Sequence, residues 1–201
     1  ASLIVCEDRK NVPAPVASLA ASTTTPEGGP VVDTSFPTVQ GLPYADVPVI
    51  ESSGGVLSTS FDTRTATYTV GGRPITGMTY AGEFMGPTLK VKPGDTIKIS
   101  FQNSLDETTN FHTHGLHTSP VTVSDNIFRV FDSASTNQVE IKVPDSIAPG
   151  TYWYHAHLHG FTEEQVFDGL SGALLVGGLT ERLPATLQGI PDHLMAIKDV
   201  Q

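Results

Sequence analysis

From residue 51 onwards, short runs rich in Val, Ile, Thr, Tyr and Phe alternate with positions held by Gly, Pro, Asn and Asp. The runs are VLSTSFD, ATYTV, TLKVK, TIKISFQN, NQVEIKV, GTYWYHAH and GALLVGG. Such runs, separated by turn residues, are typical of strands in an antiparallel sandwich or barrel. Within TIKISFQN, Ile97, Ile99 and Phe101 alternate with polar residues, which predicts one buried and one solvated face. The sequence therefore predicts an all-β fold, with one short helix over residues 161–168 that Thr162 could cap.

The two ends of the chain lack this pattern. Between residues 11 and 48 the sequence is dominated by Pro, Ala, Ser, Thr, Val and Gly, so we expect residues 1–48 to form an irregular arm. We expect the folded domain over residues 49–178. Residues 179–201 would be a linker or the start of a further domain, because their strand-like segment HLMAIKDV has no later strand to pair with.

The charge balance and the single cysteine exclude several classes of protein. Lys and Arg total 11 against 21 for Asp and Glu, giving a net charge of -10, which is the wrong sign for holding a phosphate backbone. We therefore expect no nucleic-acid partner. No apolar run approaches the roughly 20 residues that cross a bilayer, so we expect no membrane partner. Cys6 stands alone, which rules out an intrachain disulfide, and no histidine near it suggests a metal role.

Histidines supply the strongest chemical signal in the chain. Six of the seven fall into two short segments, FHTHGLH at 111–117 and YHAHLHG at 154–160. Alternate side chains of an extended strand share one face, so His112 and His114 would project together, and so would His155 and His157. If the two strands lie side by side, or face each other across a sandwich, four imidazoles converge. Neutral imidazole binds Cu, Zn, Fe and Ni.

The remaining histidines have weaker claims. One His-x-His pair alone could be a surface or hydrogen-bonded pair, but two copies on strand candidates favour a metal site. His117 and His159 lie beside glycines that let the backbone bend, so we expect them at the surface or hydrogen-bonded to the ligands. His193 lies alone in the tail, and we interpret it as structural.

Two longer segments around these clusters resemble a known family. TYAGEFMGPTLKVKPGDTIKISFQNSLDETTNFHTHGLH is similar to the amino-terminal signature of the laccase-like multicopper oxidases. PGTYWYHAHLHGFTEEQVFDGLSGALLV is similar to the second signature of the same domain, and the two occur in the family's order. The resemblance runs from about residue 49 to residue 201 and leaves the arm uncovered. It implies a cupredoxin-like Greek-key β-sandwich or barrel.

The resemblance also implies roles for single residues. His112 would bind a type 2 copper, while His114, His155 and His157 would bind a type 3 copper pair. Asp125 matches an acid that helps deliver protons to the cluster, although an aspartate in the sequence SDN could equally serve a turn or a helix cap. The neighbouring Trp153 and Tyr154 are expected to pack beside the ligands rather than to relay electrons.

The activity implied by the resemblance is the four-electron reduction of O2 to water, coupled to one-electron oxidation of phenols, amines or metal ions. No cysteine adjoins a histidine in this chain, so the type 1 copper and the remaining ligands are expected in a carboxy-terminal cupredoxin domain of the same or a neighbouring chain. We therefore expect the 201-residue chain alone to be inactive. The implied location is secreted or periplasmic, with any signal peptide already removed.

A function of another class stays open from the sequence alone. An isolated cupredoxin-like module could hold Cu, Zn or nothing, and serve binding or structure without turnover. A zinc hydrolase is a poorer interpretation, because no carboxylate lies within either His-x-His pair to act as ligand or base.

Overall fold

The computed structural model describes residues 4–7, 47–70, 73–190 and 193–198. Within these ranges the regular secondary structure is mostly β-strand. The strands are β1 (Ile4–Glu7), β2 (Val49–Glu51), β3 (Val56–Val70), β4 (Arg73–Tyr80), β5 (Gly86–Val91), β6 (Thr96–Asn103), β7 (His112–His114), β8 (Thr136–Lys142), β9 (Gly150–His155), β10 (Ser171–Val176) and β11 (Leu194–Ile197). One α-helix, α1 (Thr162–Asp168), and a 3-10 helix (Thr180–Arg182) complete the described elements.

Two sheets form the body of the protein, which confirms the predicted all-β class. One has the strand order β2-β5-β10-β9-β7 and the other the order β4-β3-β6-β8. The predicted antiparallel sandwich also contains parallel pairs, because β3 pairs with β6, β2 with β5, and β5 with β10 in parallel. Side-chain alternation along a strand reports which face is buried, but it carries no information on the direction of a partner that is distant in sequence.

The first two predicted runs belong to one long strand. Residues 56–63 of β3 pair with β6, and residues 63–70 pair with β4. The first half of β3 thus pairs along one edge with β6, and its second half pairs along the other edge with β4. Gly71 and Gly72, which predict a turn because glycine tolerates positive φ, lie outside the described residues, although Val70 and Arg73 on either side of them are paired.

A cluster of aromatic rings fills the space between the two sheets. Tyr154 of β9 lies at its centre, with ring centroids 5.3 Å from Phe111, 5.7 Å from Phe61 and 5.4 Å from Tyr80. All four side chains are at most 2% exposed. The Tyr154 hydroxyl donates a hydrogen bond of 2.7 Å to the carbonyl of Pro87. Because Tyr154 points into the core, its neighbours along β9 must point away from it.

Helix α1 follows β9 and begins where the sequence predicted, but not in the predicted way. Phe161 occupies the N-cap position and makes no side-chain cap bond. Thr162 lies inside the first turn, and its hydroxyl donates to the carbonyl of Leu158 at 2.9 Å. The hydroxyl therefore bonds to a carbonyl four residues back instead of capping an amide of the helix.

The chain ends differ from expectation in one respect. Within the arm that we expected to be irregular, Ile4–Glu7 form strand β1, which pairs antiparallel with β11. The tail strand, for which no later partner was found in the sequence, thus pairs with the beginning of the chain. Cys6 lies in β1 with its side chain outside the description, and residues 8–46 of the arm lie outside it entirely. No helix in the described part is long and apolar enough to cross a membrane.

The contact between β10 and the aromatic core yields a test of the fold. A Cβ atom on Gly172 would meet the Tyr154 ring at 2.2 Å. Gly172→Ala should therefore lower the free energy of unfolding by about 2 kcal/mol, because one of the two strands must shift. Gly189→Ala is the matched control, since a Cβ there meets no atom within 4 Å; its effect should stay within about 0.5 kcal/mol. Urea unfolding of both variants measures the difference, and equal midpoints would contradict this packing.

Candidate metal centre

The register between β7 and β9 brings the two His-x-His pairs together side by side. The strands are antiparallel neighbours, with His112 opposite His155 and His114 opposite Trp153. Thr113 and Tyr154, between them, are buried at 2% and 0% exposure. The alternation of the two strands therefore directs Thr113 and Tyr154 inwards and the histidines to the outer face of the sheet. Of the two arrangements that the sequence left open, the structure has adjacent strands.

The imidazole rings are close enough to act on a common centre. The ring centroids of His112 lie 5.8 Å from His114, 5.3 Å from His155 and 4.9 Å from His157. One potential ligand atom from each of His112, His114 and His155 lies within 4.8 Å of the other two. The Nδ1 atom of His114 is 3.3 Å from Nε2 of His155. These spacings suit metal ligands, and imidazole nitrogen is a ligand for Cu and Zn.

His157 joins the cluster by a different route from the predicted one. The run GTYWYHAH was expected to continue as a strand through residue 157, but β9 ends at His155. The amide of Ala156 donates to Leu170, and the amide of His157 donates to the side chain of Asn110 at 2.7 Å. His157 still lies 5.4 Å from His155 between ring centroids. Its Nδ1 is buried, with no hydrogen-bond partner among the described residues.

Asp125 lies beside β7, the last strand of its sheet, and contacts the Nδ1 atom of His112. One carboxylate oxygen of Asp125 is 2.7 Å from Nδ1 of His112. The other accepts hydrogen bonds from the amide of Thr113 at 3.0 Å, from the Thr113 hydroxyl and from the Thr118 hydroxyl at 3.2 Å. With Nδ1 occupied, His112 has its Nε2 free. A carboxylate behind a histidine in this way fixes its tautomer and its ring orientation for a metal.

Burial and mutual repulsion disfavour the protonated forms of His114 and His155. Desolvation lowers the pKa of His155 to about 4, and the neighbouring imidazoles add to this, while a hydrogen bond to the Ala156 carbonyl opposes it. Desolvation also lowers the pKa of His114, with contributions from His112 and His157. Burial by itself would raise the pKa of Asp125, but the hydrogen bonds from His112 and Thr113 outweigh it and lower that pKa below its ordinary value. Neutral imidazole is the form that binds a metal.

Trp153 supports the cluster from its own face of the sheet. Its ring stacks on His155 with centroids 4.1 Å apart and on His114 at 4.9 Å. The contacts are those of packing, as expected from the sequence, and they restrain both imidazole planes. Tyr154, its neighbour, lies on the opposite face in the aromatic core.

The other three histidines lie outside the cluster. His117 is exposed, has a φ of 55°, and lines a cavity of about 380 Å³ together with His112, His114 and Asp125. His159 is exposed, and its ring lies 6.3 Å from His157 and 5.7 Å from Phe128. His193 precedes β11 in the tail.

A second cavity, of about 750 Å³, borders Trp153 and His155 on the side of α1.

Sequence reasoning missed two buried residues that organise this region. Asn110 is fully buried and bonds to both the His157 segment and the loop after Asp125. Gln165 of α1 is also fully buried and bonds to residues 107–109. A polar residue two positions before a His-x-His pair was the available signal for Asn110, but polarity does not identify a partner that lies 47 residues away.

The sequence of this chain matches those of known proteins. A family model described as multicopper oxidase matches residues 62–180. A multicopper oxidase of Staphylococcus aureus is 40% identical over 97 residues, which are 48% of this chain and 21% of that protein. A copper resistance protein A homolog of Pseudomonas syringae pv. tomato is 33% identical over 147 residues, covering 72% of this chain and 24% of that protein. The chain thus spans between a fifth and a quarter of the length of these relatives.

Solved structures agree with the fold. A laccase-like multi-copper oxidase from Ochrobactrum sp. matches with a TM-score of 0.59 and 26% identity, over 69% of this chain and 31% of that one. A metallo-oxidase from Campylobacter jejuni matches with a TM-score of 0.58 and 24% identity, over 67% of this chain and 29% of that one. The likeness confirms the expected cupredoxin-like fold.

The low pKa of His155 predicts a pH dependence of stability in the metal-free chain. The pKa falls from an ordinary 6.5 to about 4 in the folded state. Between these values the unfolded chain binds more protons, so stability is present at neutral pH and is lost as the pH falls. Between pH 7 and pH 5 this group should remove about 2 kcal/mol from the free energy of unfolding.

Urea unfolding at the two pH values, compared between the wild type and His155→Gln, isolates this contribution. The variant should show the smaller loss. His159→Gln changes an exposed histidine nearby and should behave like the wild type. An identical pH dependence in the wild type and in His155→Gln would contradict the burial of His155.

Proposed function

Because the chain belongs to the multicopper oxidase family, we propose that it supplies four histidine ligands to a copper cluster that reduces O2 to water. Copper is the metal of this family. The observation that carries the proposal is the convergence of both His-x-His pairs on one face of adjacent strands, with three ligand atoms within 4.8 Å of one another. The buried, unpartnered Nδ1 of His157 supports it as well, because a buried nitrogen without a partner is costly unless a ligand is supplied.

The contacts support a division of the four ligands. His112, whose Nδ1 is bound to Asp125, would be the type 2 ligand. Nδ1 of His114 and Nε2 of His155 approach within 3.3 Å, so these two would share one ion of the type 3 pair. His157 would serve the other ion. Copper held by these four histidines would supply the electron-transfer chemistry of O2 reduction.

Asp125 has two roles in this proposal. Through Nδ1 of His112 it is a positioning residue, and its own orientation is fixed by Thr113 and Thr118. It also lines the cavity of about 380 Å³ beside the cluster. Because reduction of O2 consumes protons, an acid that lines this cavity and contacts His112 is suitably located to deliver them to the cluster.

The remaining parts of the oxidase would come from elsewhere. We propose that a carboxy-terminal cupredoxin domain, in the same or a neighbouring chain, contributes the other cluster ligands and the type 1 copper. Electrons would enter there from a small reducing substrate, which is a phenol, an amine or a metal ion. The proposed location is secreted or periplasmic, on the strength of the family resemblance.

Oxygen uptake tests the proposed division of labour. The copper-loaded chain by itself should have no blue colour and no oxidase turnover, whereas the assembly with its carboxy-terminal domain should consume O2. In that assembly His155→Ala should abolish uptake and keep the blue colour, and His159→Ala should retain both. Turnover by the 201-residue chain alone would contradict the proposal. Copper binding without uptake in the complete assembly would instead favour a metal-binding module.

Asp125→Asn tests the contact behind His112. An amide that keeps its oxygen towards Thr113 turns its NH2 group towards Nδ1 of His112, which favours a proton on Nε2 and blocks that nitrogen as a ligand. We expect copper affinity or turnover to fall about 10- to 100-fold. Asp95→Asn is the control, because Asp95 is 7% exposed against 6% for Asp125 and bonds to Ser52 and Lys92.

The pH profile of the same variant separates the two roles of Asp125. If Asp125 also delivers protons, the deficit of Asp125→Asn should widen as the pH rises and protons become scarce. A deficit that is constant across pH would leave the positioning role and exclude proton delivery. Equal losses in Asp125→Asn and Asp95→Asn would contradict both roles.

A further inference from the structure

We propose that Asn110 is a positioning residue that sets the spacing between the two His-x-His pairs. A hydrogen bond to its side chain takes the place of one backbone hydrogen bond between β7 and β9 and holds His157 in position. The connection to copper rests on the function proposed above. The connection to His157 rests on the contacts of the metal-free chain alone.

The register of the sheet explains why a side chain is needed at this point. His112 lies opposite His155, so two further steps along the antiparallel register bring residue 110 opposite residue 157. The backbone ladder has already ended there, since β7 begins at His112 and β9 ends at His155. The carboxamide oxygen of Asn110 accepts the amide hydrogen of His157 at 2.7 Å instead. The two backbones can therefore diverge by the length of a side chain without leaving a buried amide unpaired.

This divergence decides where the fourth imidazole lies. In a continued strand His157 would follow the line of His155 along the outer face of the sheet. In the structure its ring centroid lies 4.9 Å from His112, which is closer than the 5.3 Å between His112 and His155. The hydrogen bond between the His157 amide and Asn110 is thus accompanied by a displacement of the His157 ring towards His112.

The other half of the same carboxamide reaches the loop that carries Asp125. The NH2 group of Asn110 donates to the carbonyl of Ile127 at 2.8 Å. Asp125, two residues earlier, contacts Nδ1 of His112. One fully buried side chain thereby ties His157 to the loop that orients His112.

The main chain at Asn110 has little freedom to adjust. The hydroxyl of the preceding Thr109 donates to Gln165 at 2.8 Å, and Gln165 donates to Thr108 at 2.8 Å and to Glu107 at 2.6 Å. Thr109, Asn110 and Gln165 are all fully buried. A fully satisfied buried network of this kind favours a single arrangement of its parts.

The two arms of the carboxamide can be separated by substitution. Asn110→Asp keeps an acceptor for the His157 amide but loses the donor to Ile127. Asn110→Ala loses both. Asn103→Ala is the matched control, because Asn103 is also fully buried and donates to Glu107, Phe131 and Asp132, but bonds to neither histidine segment.

Amide hydrogen exchange in the metal-free chain tests the positioning role. In Asn110→Ala the His157 amide should exchange about tenfold faster relative to the core amide of Ile99, as expected for the loss of one buried hydrogen bond. In Asn110→Asp the His157 amide should stay protected, while the amides of residues 125–129 exchange faster. In Asn103→Ala the His157 amide should be unchanged. Unchanged exchange of His157 in Asn110→Ala, or an equal increase in Asn103→Ala, would overturn the proposal.

Titration with Cu(II) against a competing chelator tests the connection to the metal. Asn110→Ala should bind copper about 10- to 100-fold more weakly than the wild type, the range seen when residues that orient ligands are lost. Wild-type affinity in Asn110→Ala, together with faster exchange of His157, would overturn the role of Asn110 towards the metal. Failure of the wild type to bind copper would overturn the proposed function, while the exchange experiment would still decide whether Asn110 positions His157.

Discussion

The antiparallel pairing of β7 with β9 determines where three of the four candidate ligands lie. Since His112 is opposite His155, the alternation of both strands directs three imidazoles to the outer face of the sheet. The same alternation directs Tyr154 into the aromatic core, where it contacts rings from the opposite sheet. A shift of one residue would send the histidines into the core and Tyr154 to the surface. The same register between β7 and β9 therefore fixes both the packing of the core and the geometry of the metal centre.

The cluster also carries an electrostatic cost that the fold must offset. Four imidazoles lie within 6 Å of their neighbours, and burial and mutual repulsion disfavour the protonated forms of His114 and His155. Burial alone would raise the pKa of Asp125, but hydrogen bonds from His112 and Thr113 lower it, and the carboxylate orients the His112 ring. A metal ion would satisfy the free nitrogens without adding protons. This arrangement favours metal binding over a proton-dependent role for the cluster.

Patterns within short stretches of the sequence predicted the features that depend on residues close together in the chain. Strand alternation indicated the buried faces, and the two His-x-His pairs and Asp125 could be named from spacing and resemblance. The end of β9 at His155 could not be predicted, because it depends on Asn110, which is distant in sequence and near in space. The parallel pairing of β3 with β6 and the strand β1 in the arm likewise depend on long-range partners. Thr162 was misassigned as a cap, because a hydroxyl at a helix start can also bond back to a carbonyl.

Anomalous diffraction at the copper absorption edge, from crystals of the copper-loaded assembly, locates the copper ions relative to the four imidazoles. We expect copper peaks within bonding distance, about 2.0 Å, of imidazole nitrogens of His112, His114, His155 and His157. We also expect Nδ1 of His112 to stay in contact with Asp125. Copper peaks elsewhere on the protein, with these four imidazoles free of metal, would contradict the proposed ligand set.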